Sequence, residues 1–142
     1  MISGASESYV SRFQNESIKL YRISSNSGYA PSQLAYAGWL LTGLAGVLEK
    51  NTEEAFYWAY QAAAQKHARA EYTVGYFLEL GIGLAPDMAK ALRWYVAAAK
   101  RSDELAIKRL KELNVTVPVD TSASVSSESH KKRTLFGFNI RS

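Results

Sequence analysis

The stretch AEYTVGYFLELGIGLAPDMAKALRWYVAAA, residues 70–99, decides the fold of this chain. Apolar residues recur in it at helical spacing on both sides of a Gly-Ile-Gly segment at residues 81–83. Glycine tolerates the positive φ of a helix C-cap, and Asp87, which follows Pro86, is a residue type that caps the start of a helix. The stretch therefore predicts two helices joined by a tight turn.

The same pattern recurs one period upstream. Residues 55–68, AFYWAYQAAAQKHA, align with residues 91–104, ALRWYVAAAKRSDE, at an offset of 36, so that alanines and a tryptophan coincide. The segments before them align at an offset of 37 to 38, which puts Gly38 on Gly75. A fixed period of this length is typical of stacked helical repeats, in which each unit buries its apolar face against the next.

These repeats predict an all-α chain, an α-solenoid of about 2.5 antiparallel helical hairpins over residues 16–113. We expect a flexible N-terminal lead over residues 1–15. We also expect a disordered tail over residues 114–142, which is Ser-rich and then basic and cannot bury a core. The predicted helices span residues 16–27, 31–43, 51–66, 68–80, 87–101 and 103–113.

Composition and charge exclude several classes of protein. The 142 residues are enough for about one domain, and the absence of cysteine removes disulfide scaffolds, thiolate zinc sites and cysteine nucleophiles. The formal net charge of +4 comes from residues 130–142, because residues 1–129 are balanced. A protein that grips a phosphate backbone needs its cations on the folded surface, so we predict no nucleic-acid partner.

The apolar run LAYAGWLLTGLAGVL, residues 34–48, has some likeness to a membrane span. It has 15 residues and three glycines, whereas a span needs about 20 residues. A buried helix that runs into a glycine loop fits it better, and no secretory signal is visible in residues 1–8. We therefore predict no transmembrane segment and a cytoplasmic location.

No constellation of catalytic or metal-binding groups stands out. The carboxylates of Glu53, Glu54, Glu71 and Glu79 have neither an adjacent nucleophile and base nor a histidine pair. Solvated helix faces explain them better than acid–base chemistry. The glycine turns follow helices rather than strands, unlike dinucleotide-binding loops. We predict no enzyme activity, no cofactor and no metal, and a hydrolase is only a remote alternative.

Residues 70–99 resemble a Sel-1-like repeat, a relative of the tetratricopeptide repeat. The resemblance extends over residues 16–113, with departures at Ala59 and in the loop at residues 43–46. It implies structural roles for the hallmark residues of the repeat. These are Gly38, Gly43, Ala55, Trp58, Ala62, Ala70, Gly75, Gly81, Gly83, Asp87, Ala91, Trp94, Tyr95 and Ala98.

A narrower resemblance covers residues 38–99. The G-W-x-L-T-G segment from Gly38, the E-A-x-x-W segment at Trp58 and the A-E-Y-x-x-G-Y-F-x-E-x-G-I-G segment from Ala70 are similar to the C-terminal repeats of the fungal chitin synthase regulator or activator family. The resemblance implies a non-catalytic adaptor in cell-wall or septum formation. Its partner would be a membrane chitin synthase or a targeting factor, at the plasma membrane, cell cortex or division septum. The alternative is a generic Sel-1-like scaffold in another pathway, such as membrane-protein degradation or signalling.

Two places are candidates for partner contact. Trp39 has no equivalent tryptophan in the other unit, where Tyr76 stands, so it is the aromatic residue that we expect to be exposed. In the tail, basic residues beside apolar ones suit a partner or a weak contact with an anionic membrane, although a solvated flexible end explains them equally well. These tail residues are Lys131, Lys132, Arg133, Phe136 and Phe138.

Overall fold

The chain folds as a row of α-helices. The computed structural model describes residues 3–117, with side chains from residue 9 onward. The helices in that range are α1 (Ser3–Asn26), α2 (Ala30–Thr42), α3 (Thr52–Ala64), α4 (Ala68–Leu80), α5 (Met88–Lys100) and α6 (Glu104–Glu112). Helices α2 and α3 form one antiparallel hairpin and α4 and α5 a second, while α1 packs on α2 and α6 on α5. The prediction of an all-α solenoid of about 2.5 hairpins is confirmed.

The solenoid begins earlier than the sequence predicts. Helix α1 starts at Ser3, so the predicted flexible lead over residues 1–15 is helical from that residue onward. No proline interrupts the helix, and Ile18 anchors it to the core at 4% exposure. The part of α1 before Ile18 therefore continues a helix that this residue fixes to the core.

The packed structure also ends later than predicted. Val115 packs against the core and Val117 is fully buried, so residues 114–117 belong to the fold rather than to the tail. Both are apolar side chains, and burying them removes their surface from water. The remainder of the predicted tail, residues 118–142, lies outside the described residues.

Alanine dominates the contacts between helices. Ala55 and Ala62 on α3, and Ala91 and Ala98 on α5, are completely buried. The distance between packed helices depends on the side chains at their contact, so methyl groups at these positions allow a close approach. The ring of Tyr95, also completely buried, fills the space that remains.

Side-chain caps fix where the helices begin. Asn51 accepts a hydrogen bond from the backbone N–H of Glu54 at 3.0 Å, and Asp87 accepts one from that of Lys90 at 3.1 Å. Nδ1 of His67 caps α4 in the same way. These contacts satisfy donors that the first turn of a helix leaves without a partner.

Glycines close the turn of the second hairpin. Gly81 ends α4 in the left-handed region, at φ +77°, and Gly83 follows at φ +81°. A Cβ on Gly83 would lie 2.4 Å from the carbonyl oxygen of Thr52. The turn therefore fits against the start of α3 because it has no side chain at that position.

The apolar run at residues 34–48 is divided between a helix and a loop. Helix α2 ends at Thr42, and Gly43 and Gly46 then turn the chain at φ +74° and +75°. Among residues 3–117, no helix is both long enough and apolar enough to cross a membrane.

The structure shifts the alignment of the two first helices by one residue. The C-caps of α2 and α4, Gly43 and Gly81, are 38 residues apart, so Ala37 rather than Gly38 is the counterpart of Gly75. Ala37 is 1% exposed, whereas a Cβ on Gly38 would meet nothing within 4 Å. The sequence alignment pairs Gly38 with Gly75, whereas the buried residue of α2 at the same distance from the C-cap is Ala37.

Alanine substitutions of Gly75 and Gly38 are expected to change stability in opposite directions. A Cβ on Gly75 would lie 2.8 Å from the ring of Tyr95, so Gly75→Ala overpacks the α4–α5 contact and lowers the free energy of unfolding by about 1–3 kcal/mol. Gly38→Ala meets no neighbour and favours the helix by about 0.5–1 kcal/mol. Urea unfolding followed by circular dichroism measures both, and equal effects would contradict this packing.

Candidate protein-interaction surface

A groove lies between α3 and α5, beside the turn that joins α4 to α5. Its volume is about 620 Å³. We call it the aromatic groove, because its floor is apolar and rich in rings while two cations line its edge. The floor consists of Phe56, Tyr60, Leu78, Leu84, Trp94 and Ala97, and the edge of Lys90 and Arg93.

The rings of the groove support one another. Tyr60 and Trp94 meet edge to face, with ring centroids 5.7 Å apart, and Phe56 lies 6.0 Å from Tyr60. Phe56 also contacts the buried ring of Phe77, at 6.5 Å, so the cluster is anchored in the core. Tyr60 is nevertheless 43% exposed. Anchored but exposed aromatic rings are typical of surfaces that bind other proteins.

A polar network ties the last three helices together below this surface. Glu79 on α4 accepts a hydrogen bond from the hydroxyl of Tyr95 at 2.6 Å and one from Nε of Arg109 at 3.1 Å. The guanidinium of Arg109 holds the pKa of the Glu79 carboxyl below its ordinary value, and the Tyr95 hydroxyl acts in the same direction. Burial raises the pKa of Tyr95, which stays a donor to the carboxylate.

A second tie joins α4 to the end of α5. Glu71, 4% exposed, accepts from Nε of Arg101 at 3.0 Å. Burial raises the pKa of Glu71 despite the opposing effect of this cation. In the first hairpin, Gln33 and Gln65 occupy the equivalent positions and form a hydrogen bond of 2.9 Å. An ion pair and an amide pair therefore join equivalent positions of the two helices in the two repeats.

These contacts correct the expectation that Glu54, Glu71 and Glu79 lie on solvated helix faces, whereas Glu53 is exposed as expected. Glu71 and Glu79 are both engaged in ion pairs, and Glu54 accepts from the indole N–H of Trp58 at 3.2 Å. The sequence does not reveal the partners of Glu71 and Glu79, because both arginines lie 30 residues further along the chain. Trp58, in contrast, lies one helical turn after Glu54, at a spacing that brings two side chains together. Among residues 3–117, no group of three or more potential metal ligands forms.

Most hallmark residues of the repeat are buried inside the solenoid, whereas Gly38 is exposed. Their alanines are buried, Trp58 is 9% exposed and Trp94 is half-buried. Trp39, at 38% exposure, lies near the end of α2. The candidate contact residues of the tail fall outside the described residues, so their role stays a prediction. They are Lys131, Lys132, Arg133, Phe136 and Phe138.

The hallmark pattern marks only Trp94 among the eight residues that line the aromatic groove. Lys90 stands where the first repeat has Glu54, and Arg93 where it has Tyr57. Such changes of charge between equivalent positions were the available signal. The other lining residues that the pattern does not mark are Phe56, Tyr60, Leu78, Leu84 and Ala97.

Stacked hairpins with an alanine-packed core and open grooves define a helical-repeat protein of the kind that binds other proteins along its surface. The family model described as the Sel1 repeat matches residues 30–67 and 68–103, which contain the α2–α3 and α4–α5 hairpins. The chain belongs to the Sel1 repeat family.

Several fungal proteins are similar to this chain. Chitin synthase regulatory factor 3 of Schizosaccharomyces pombe is 45% identical over 96 residues, which are 68% of this chain and 10% of that protein. Chitin synthase regulator SKT5 of Malassezia restricta is 37% identical over 113 residues, 78% of this chain and 8% of that protein. Activator of C kinase protein 1 of Saccharomyces cerevisiae is 34% identical over 89 residues, 61% of this chain and 14% of that protein.

The chain thus spans a small part of the length of these relatives, 10% and 8% of the two chitin synthase regulators. Among solved structures, a Sel1 repeat protein from Oxalobacter formigenes superposes with a TM-score of 0.62 at 33% identity. The match covers 68% of this chain and 71% of that protein.

Replacing the Glu71–Arg101 ion pair by the glutamine pair of the first repeat is expected to be tolerated. Arg101→Gln alone leaves the buried carboxylate of Glu71 without its cation, and should lower the free energy of unfolding by about 1–3 kcal/mol. The double variant Glu71→Gln/Arg101→Gln should recover most of that loss, because Gln33 and Gln65 make the same tie.

Thermal unfolding at neutral pH measures both variants of this pair, with Lys100→Gln, an exposed neighbour on α5, as the matched control. A double variant no more stable than the single variant would show that the two ties are not equivalent.

Stability is expected to depend on pH through Glu79. Its pKa is lower in the folded chain, so its contacts stabilise the fold above the pKa of the unfolded chain and are lost as the pH falls through the folded pKa. The free energy of unfolding should fall between about pH 5 and pH 3, and fall less in Glu79→Gln. Urea titrations across this range test the expectation. The control is Glu53→Gln, on an exposed part of α3, and an equal flattening in both variants would contradict it.

Proposed function

We propose that this chain is a non-catalytic, protein-binding module that regulates a chitin synthase in cell-wall or septum formation. The observation that carries the proposal is the similarity of both hairpins to proteins named as chitin synthase regulators. Because the chain spans a small part of those proteins, the proposal concerns the part that the hairpins play: they bind, and the binding controls where or when the synthase works.

The chemistry of the described residues supports binding rather than catalysis. The carboxylates of Glu71 and Glu79 are occupied by Arg101 and Arg109, and a general acid or base needs a free group within reach of a substrate. The exposed rings of the aromatic groove and of Trp39 are, in contrast, suited to partner contact.

The proposed place of action is the cytoplasmic periphery of the cell, where the partner would be a membrane chitin synthase or a factor that targets it. Each tail cation adds about 1 kcal/mol of attraction near an anionic membrane, so the tail contributes a weak second contact. The tail cations in question are Lys131, Lys132 and Arg133.

An affinity pull-down tests this function. The tagged chain is incubated with detergent-solubilised membranes of the fungus from which it comes, and chitin synthase is detected in the eluate by antibody. We expect the synthase to be recovered, and less of it with Trp39→Ala than with Tyr29→Ala, a substitution at another exposed ring. In parallel, deletion of the gene should reduce chitin at the wall or septum. Absence of the synthase from the eluate, together with normal chitin, would refute the proposal.

The second candidate is a scaffold in a signalling pathway, which the relative named as an activator of C kinase favours. The same eluate separates the two functions. Recovery of a protein kinase without chitin synthase, from a strain with normal chitin, would select the signalling role.

A further inference from the structure

The aromatic groove has a counterpart one repeat upstream. This upstream groove lies between α1 and α3, has a volume of about 530 Å³, and is lined by Arg22, Leu40 and Glu54, which correspond to Tyr60, Leu78 and Lys90 of the aromatic groove. Its lining also includes Glu49 and Lys50, so two carboxylates and two cations line this groove. The same architecture therefore presents balanced charges in one repeat and a basic edge with an apolar floor in the next.

The tryptophans of the two repeats differ in what their indole N–H groups do. Trp58 donates to Glu54 at 3.2 Å, one helical turn earlier. At Trp94 the residue one turn earlier is Lys90, which cannot accept, and no acceptor for this N–H occurs among residues 3–117. The indole of Trp94 lines the aromatic groove and keeps a donor for a ligand.

The cations at the groove edge are also free to meet an anion. Lys90 has only a 4.0 Å contact with Asp87, between side chains that are 60% and 39% exposed. Such a pair contributes little and is readily exchanged for a better one. Arg93, one turn along α5, has no ion-pair partner in the part of the chain that the structure describes.

We propose that the aromatic groove binds an extended segment of a partner protein in which apolar side chains are flanked by Asp or Glu. The apolar side chains lie on the floor formed by Phe56, Tyr60 and Leu84, the flanking carboxylates pair with Lys90 and Arg93, and the Trp94 indole donates to a backbone carbonyl of the segment. Arginine suits a carboxylate because its planar group presents two parallel donors.

This inference rests on the proposed protein-binding function and adds the chemistry of the bound segment. The upstream groove does not share the role, because two carboxylates line it beside two cations and leave no net positive charge for an anionic ligand. Each chain therefore binds one such segment in this groove.

Fluorescence anisotropy with two labelled hexapeptides tests the proposal. The probes are DELFED and its neutral counterpart NQLFQN, which keeps the apolar pair. The acidic probe should bind about tenfold or more tightly, as expected when two surface charge pairs are lost, and its affinity should fall with added salt. Equal affinity for the two probes, or no binding of the acidic one, would overturn the proposal.

Charge reversal locates the site. Lys90→Glu/Arg93→Glu should weaken binding of the acidic probe by about tenfold or more, whereas Lys108→Glu/Lys111→Glu, on exposed positions of α6, should leave it nearly unchanged. Both pairs change the net charge equally. An equal loss in both would mean that the probe responds to overall charge, and the groove proposal would fail.

A milder substitution guards against a folding artefact. Trp94→Phe keeps an aromatic ring in the floor and removes the indole donor, so binding should weaken about three- to tenfold while the circular dichroism spectrum stays unchanged. Unchanged affinity would remove the indole from the proposal and contradict it.

Sedimentation velocity tests whether a second copy of the chain occupies the groove. Self-association that Lys90→Glu/Arg93→Glu abolishes would mean that a second copy fills the groove, and would overturn the proposal.

The pull-down separates failure of the groove from failure of the function. Synthase recovered equally by the native chain and by Lys90→Glu/Arg93→Glu would leave the regulatory function standing and overturn the groove. Synthase recovered by neither, with the acidic probe still bound at the groove, would overturn the chitin synthase role and support the groove.

Discussion

The contact between Gly75 and Tyr95 is the constraint on which the second repeat depends. The two helices approach so closely there that no Cβ fits on α4, and the tyrosine ring takes the space that a side chain would occupy. The position of the ring brings its hydroxyl to Glu79, and the same carboxylate receives Arg109 from α6. One missing side chain thus allows three helices to be joined by a buried hydrogen-bond network, which rigidifies a structure when every member is satisfied.

The ties at the other end of the hairpins keep their geometry while their chemistry changes. Gln33 and Gln65 in the first repeat do what Glu71 and Arg101 do in the second. Neutral and charged pairs differ modestly in their net contribution to the free energy of unfolding, because desolvation offsets much of the attraction between buried charges. Repeats can therefore change charge at one position after another while the alanine-packed scaffold stays the same.

Changes of charge at equivalent positions also alter the grooves on the surface of the solenoid. The two grooves occupy equivalent places in successive repeats but carry balanced charges in one case and a basic edge in the other. A solenoid presents such grooves in a row, and the identity of a few exposed residues decides what each one accepts. Most hallmark residues build the core, whereas the residues that line the aromatic groove lie, apart from Trp94, outside the hallmark pattern.

Local signals in the sequence determined the helices, the turns and the solenoid class. The spacing of alanines and tryptophans, the glycines at residues 81–83 and the cap at Asp87 each act over a few residues and need no knowledge of the fold. Among the residues of the aromatic groove, these local signals identified only Trp94, and they marked it as a packing residue. The one-residue error at Gly38 arose because a glycine match outweighed cap spacing, and the helix from Ser3 was missed because its exposed face has no repeat pattern.

Only the tertiary structure decided which side chains meet. Phe56 and Arg93 are far apart in the sequence and line one groove because α3 and α5 both pack against α4. The burial of Glu71 and its partner on the end of α5 follow from the same stacking. The physical reason is that periodicity sets which face of a helix is apolar, whereas contacts between helices depend on interaxial distance and rotation, which arise when all the faces pack together.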